Sequence, residues 1–221
     1  LCMCIKKYIG IMLKKEYLLL KSLKLLFWVP IIALDIFLPL FSLYQYRSKN
    51  PSVEYNIASI ILIIVPLFSA WWSIFILREF LESPGNEVLF SGKIGLLFEI
   101  SVPFIIYVID TVAVLCGISN WFPKTIEMIK PLLIVIFFMF ALSYFMAFVS
   151  KSITISLLIN VVYVLANQVI YTKKPLPFLY ISAMQFDFKK SYTSFVTMLI
   201  VSAFLIIAGL ILNKEFKHYK T

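Results

Sequence analysis

Two aspartates stand where a charge is costly. Asp35 interrupts an otherwise uncharged run over 25–46, and Asp110 interrupts a second over 94–123, which also holds Glu99. A carboxylate at the centre of a membrane helix costs roughly 2.5–3.5 kcal/mol on insertion scales, so Asp35 and Asp110 are candidate intramembrane polar sites. The competing role is structural: a carboxyl protonated or hydrogen-bonded to Ser, Thr, Tyr or Asn of a neighbouring helix. Glu99, close to the start of its run, is expected to reach the headgroups. Catalytic constellations are scarce. There is no HExxH, no adjacent Glu-Glu pair and no embedded histidine to activate a serine; His218, the single histidine, lies in a basic tail. Cys2, Cys4 and Cys116 make neither a disulfide framework nor a metal site, so no metal and no catalytic residue is expected. Gly92-Lys93 is the single Gly-Lys pair, and Glu87 stands where a phosphate-binding loop requires glycine. No cofactor is expected on this chain.

These residues sit in a chain whose composition dictates its solvent. Of 221 residues, 62% are hydrophobic and 14% charged, and the mean hydropathy is +0.98. A water-soluble domain carries roughly 25% charged residues, so too little polar surface remains to cover a globule. The net charge of +9 is spread between long apolar runs rather than gathered with stacking aromatics. It points to membrane orientation, not to nucleic acid. A crossing of ~30 Å needs about 20 apolar residues. The expected fold is therefore an all-α integral membrane domain with six transmembrane helices, over about 25–46, 55–77, 94–119, 131–150, 152–172 and 192–213. Only Ser150-Lys151-Ser152 separates the fourth from the fifth. With the N-terminus inside, the cytoplasmic flanks hold twelve Lys and Arg residues against eight outside. That bias, led by six lysines before the first span, places both termini in the cytoplasm of a multi-pass protein of the cell membrane. No cleavable signal peptide is expected, the first apolar run being too long for one.

The parts between spans carry more information. Over 1–24, Lys7, Lys14 and Lys21 fall on one helical stripe, with Ile9, Met12, Leu19, Leu20 and Leu23 opposite. This is the pattern of an amphipathic interfacial helix whose lysines meet anionic lipid. Glu16 falls amid its apolar face. The cytoplasmic loop 78–93 holds Glu79, Glu82 and Glu87, three of the eleven acidic residues, and signals for a short helix: Ser83 as cap, Pro84 at the first turn, Gly92 as stop. Between Thr172 and Ser191, the stretch Phe178-Leu179-Tyr180-Ile181 is too apolar for a solvated loop and too short to span, which suits a re-entrant or interfacial hairpin before the last span.

The layout resembles the permease subunits of ABC type-2 exporters. Lys14-Lys15-Glu16 leading into the first span is similar to the start of that family. So is Glu82-x-x-Gly85-Asn86-Glu87-Val88-Leu89, although Asn86 replaces the usual threonine and Ser-Pro precedes Gly85. The resemblance implies that residues 79–93 form a coupling helix seated in a cleft of a separate ATPase subunit, with Glu79, Glu82, Gly85, Asn86, Glu87, Val88 and Leu89 as its contacts. It also implies a second permease subunit, identical or related, and ATP and Mg on the partner ATPase. The chain would move an amphipathic peptide, drug or lipid-like substrate outward. Two other classes share its size: a substrate-capture membrane subunit of an uptake system and a bacteriocin immunity membrane protein.

Overall fold

The computed structural model describes residues 17–18, 20–48, 52–82, 96–169 and 192–220, and all regular structure in them is helical. Six helices follow in chain order: α1 (Leu25–Ser48), α2 (Val53–Leu81), α3 (Leu96–Ser119), α4 (Thr125–Ser150), α5 (Ile153–Val169) and α6 (Tyr192–Lys220). Five of them contain segments long and apolar enough to cross a membrane: Leu25–Ser48, Val53–Leu81, Leu96–Ser119, Thr125–Ser150 and Phe195–Lys214. The architecture is that of a multi-pass membrane protein. The fifth expected span is described in part: α5 has 17 residues up to Val169, a rise of about 25 Å at 1.5 Å per residue, and 170–172 lie outside the described residues.

Helix α4 is the axis of the bundle. It is apolar on all sides, the pattern of a helix buried all round, and its residues enter three clusters. Leu132 and Ile136 pack with Leu34 and Leu38 of α1, Ile61 and Val65 of α2, and Tyr107 and Leu115 of α3. Phe140, Tyr144 and Phe148 pack with Leu77 and Phe80 of α2, Leu96 and Ile100 of α3, and Ile153 of α5. Val135, Phe138 and Met139 meet Val164 of α5 and Phe195 and Met198 of α6. On α6 the buried positions Phe195, Met198, Ser202 and Asn213 follow helical spacing, while Ile200, Phe204, Ile207 and Ile211 are exposed on the other side. Apolar exposure of that kind faces lipid tails at no cost.

Charged residues collect at the two ends of the bundle. Glu54, at the start of α2, is bound by Lys124 just before α4, and Tyr46 at the end of α1 packs edge-on against Phe122. At the opposite end, Arg78 pairs with Glu82 at 3.5 Å. The α4–α5 turn lies at this end too: Lys151 takes a left-handed conformation, φ 53°, which stops α4, and α5 starts two residues later. The Ser150 hydroxyl closes the turn, donating to Met146 O at 2.7 Å and accepting from Ser152 N–H at 3.3 Å.

Three expectations fall outside the described residues: Lys14, Lys15 and Glu16 of the interfacial helix; Gly85, Asn86, Glu87, Val88 and Leu89 of the coupling loop; and the outer hairpin between Thr172 and Ser191. Where the description begins, residues 17–18 and 20–22 are helical, with Leu23 buried and Tyr17, Leu18 and Lys21 exposed.

Candidate functional site

The first two helices are both irregular, and each irregularity is completed by its neighbour. Pro30 brings no N–H, so the Leu26 carbonyl four residues back loses its helical partner. Trp71 Nε1 donates to that carbonyl at 2.9 Å, and Trp72 Nε1 donates to the next one, Phe27 O, at 3.1 Å. The Phe27 and Trp72 rings stack with centroids 5.3 Å apart. Beyond Pro30 the ladder widens into a π-turn over Ile32–Phe37, with Leu38 N–H reaching Ala33 O. Pro39 explains why: its ring would crowd the Asp35 carbonyl in α geometry.

Helix α2 breaks at Ser69-Ala70, between Val53–Phe68 and Trp71–Leu81. After Pro66, Ser69 N–H and Ser69 Oγ both turn to Pro66 O, at 3.3 and 2.7 Å. The Val65 carbonyl is thereby released, and Tyr107 Oη on α3 donates to it at 2.7 Å. Proline-broken helices persist in lipid only where freed backbone groups find partners. Here two indoles and one phenol supply them. Trp71, Trp72 and Tyr107 were invisible as a group in the sequence; the usable signal was a Trp-Trp pair inside an apolar run close after a proline.

Asp35 lies in the π-turn, exposed beside Ile32, Ile36 and Phe37. Asp110 is half-buried on α3, one turn beyond Tyr107, and its Oδ2 is enclosed with no hydrogen-bond partner among the described residues. The two carboxyls lie within electrostatic reach of each other. The two aspartates that the sequence singled out separately thus stand on α1 and α3 of the same bundle. Glu99 departs from expectation: it is 1% exposed, because Leu96, Glu99, Pro103 and Tyr107 form the stripe of α3 that faces the bundle. Among the described residues no cluster of His, Cys, Asp and Glu has the makings of a metal site.

Of the expected coupling residues, Glu79 and Glu82 are described. Glu82 ends α2 and its Oε1 accepts the backbone N–H of Ile153, the first residue of α5, at 2.9 Å across 71 positions of sequence. A carboxylate at a helix N-terminus both fills an orphan donor and meets the positive end of the helix dipole. Deeper between α4 and α5, Ser156 Oγ donates to Ser143 O at 2.8 Å and Asn160 Nδ2 donates to Ser143 Oγ. These bonds hold α5 to α4 along a polar seam. No family model, curated protein or solved structure matches this chain.

Proposed function

We propose that the chain is the membrane-spanning permease subunit of an ATP-driven ABC exporter, working with separate ATPase subunits and a second permease subunit. Both termini face the cytoplasm, and α5 makes a sixth crossing. The observation that carries this reading is the bond between Glu82 and Ile153. Glu82 lies within the acidic segment 78–93, where α2 ends, so a displacement of that segment by an ATPase pulls on the first turn of α5. Helix α5 in turn is tied to α4 through Ser143, Ser156 and Asn160. A coupling segment needs such a path from the membrane surface into the bundle.

A second feature supports a partner subunit. Asp35 is exposed at mid-span in the single chain, and a carboxyl at that depth belongs against protein or a water-filled cavity rather than lipid. A second copy facing α1 would provide one, with Asp35 and Asp110 lining the space where an amphipathic cargo passes. The chain itself brings no nucleotide-binding loop, so ATP and Mg act on the partner.

The test is pull-down with a candidate ATPase-only subunit and measurement of its ATP turnover, with wild type, Glu87→Ala and Gly85→Pro. Weakened capture and weakened stimulation are expected of both variants. Unchanged binding and unchanged turnover would end the coupling reading.

A further inference from the structure

Where the chain enters α1, it builds a groove that the transport reading does not use. Lys24 has φ 49° and ψ −118°, a left-handed-side backbone that L-residues rarely adopt. It turns the chain sharply between the helical residues 20–22 and α1. Leu23 goes inward, 7% exposed, and the two pieces enclose a cavity of about 530 Å³ lined by Tyr17, Leu20, Lys21, Lys24, Leu25 and Trp28. Phe27 lines it too. Its place is firm: the Phe27 ring is stacked on Trp72 and meets Trp28 edge-on at 5.6 Å. The volume falls in the range of a site for one small molecule.

Its chemistry is divided. Apolar and aromatic side chains make up most of its lining, and two lysines, Lys21 and Lys24, both exposed, complete it. No ion pair ties Lys21 or Lys24 among the described residues. The groove also sits at the first turn of a 24-residue apolar span, the depth where hydrocarbon gives way to headgroups and where Trp and Lys concentrate. Lysine suits this place, since its stem lies along apolar surface while the ammonium reaches a phosphate.

The geometry points to a binding site for one anionic glycerophospholipid, its phosphate held between Lys21 and Lys24 and an acyl chain lying along Leu25, Phe27 and Trp28. Two cationic groups that no described carboxylate neutralises select a lipid with net negative charge over a zwitterionic one. The apolar wall selects a lipid over free phosphate. This site stands whether or not the chain is a permease, because it needs neither an ATPase nor a cargo.

The test uses the full chain, purified in detergent and titrated with phosphatidylglycerol, phosphatidylcholine or inorganic phosphate, with bound lipid counted by native mass spectrometry. Wild type retains phosphatidylglycerol in preference to phosphatidylcholine. The K21Q/K24Q variant binds it roughly 30-fold more weakly, at about 1 kcal/mol for each lysine near a charged surface. K130Q removes one positive charge at the other end of the bundle and behaves as wild type, and K21R/K24R retains the lipid. Inorganic phosphate does not displace it. Equal retention by K21Q/K24Q and K130Q overturns the site, as does displacement by phosphate alone. Should K21Q/K24Q fail to fold, Trp28→Ala carries the test with both lysines in place: lost retention supports the groove, and unchanged retention overturns it.

Discussion

Glu82 and Ile153 are joined by a carboxylate-to-amide hydrogen bond of 2.9 Å that links the end of α2 to the start of α5. The same carboxylate is held from the other side by Arg78, one helical turn back. Glu82→Ala leaves the first turn of α5 without this acceptor. The expected cost is about 1 kcal/mol, or roughly 2–4 °C in thermal midpoint for a chain of this size. Glu82→Gln retains an oxygen at the same place and loses less. With the partner ATPase present, Glu82→Ala is expected to lower stimulated ATP turnover more than it lowers binding, because the loop still docks while its pull on α5 is lost. Turnover equal to wild type with binding intact would show that force does not pass through this bond.

Trp71 and Pro30 make a pair that can be tested by cycle. Trp71→Phe leaves the Leu26 carbonyl in apolar surroundings without a donor, at a cost of about 1–3 kcal/mol. Pro30→Ala restores the N–H that an uninterrupted helix would direct to the same carbonyl. Trp71→Phe is therefore expected to cost much less in the Pro30→Ala background, giving a coupling of order 1 kcal/mol in chemical unfolding. Strict additivity would mean that the indole does not serve the carbonyl released by the proline.

The spans were legible because charges punctuate apolar runs at membrane length, and α1 to α4 and α6 lie where those runs lie. Helix ends were less so. Helix α2 reaches Leu81 rather than 77, since Arg78 and Glu82 support its last turn instead of ending it. Depth was readable for Glu99 but its face was not, and the expected headgroup contact gave way to burial beneath the Leu96–Tyr107 stripe. Asp35 and Asp110 each stood out singly; that they lie within electrostatic reach depends on the register of α1 against α3, which no local pattern records. The acidity of Glu82 was plain, whereas its partner lies 71 residues away. The Leu26 carbonyl freed at Pro30 and the Val65 carbonyl freed at the break after Pro66 are taken by Trp71 and Tyr107, partners 45 and 42 residues away that no local pattern names.

The Lys124–Glu54 tie gives a pH dependence with a definite sign. Both side chains are largely exposed, at 72% and 58%. The hydrogen bond to Glu54, and then its charge, hold the Lys124 ammonium above the ordinary lysine pKa. A raised lysine pKa stabilises the fold fully below the unfolded value, about 10.4. That contribution is lost as pH climbs through the folded value. No change from this pair is therefore expected through neutral pH, with a small loss, reduced by salt, in strongly alkaline solution. In an NMR titration of the Lys124 ammonium, Glu54→Gln should bring the midpoint down. A midpoint unmoved by Glu54→Gln would mean that the contact is not maintained in the membrane-mimetic.

Gly209 on α6 lies against Tyr144 on α4, and packing there leaves no room for a methyl group. A Cβ added at Gly209 would fall 2.7 Å from two ring carbons of Tyr144, and 3.5 Å from the backbone of Phe145. The ring has little freedom to retreat, being 1% exposed and set edge-on against Phe148 at 5.1 Å. Small residues let membrane helices approach closely, and α6 uses this glycine to do so. Gly209→Ala is thus expected to destabilise by about 1–3 kcal/mol, the usual penalty of overpacking. The gain of alanine over glycine in helix propensity, about 1 kcal/mol, offsets part of it. Gly117 on α3 separates the two effects, because a Cβ there meets nothing within 4 Å. Gly117→Ala should be neutral or stabilising. The contact is then isolated by repeating Gly209→Ala in a Tyr144→Ala background, where the clash is gone and the sign should reverse toward stabilisation. If Gly209→Ala behaves like Gly117→Ala in the native background, α6 does not pack on α4 at this register.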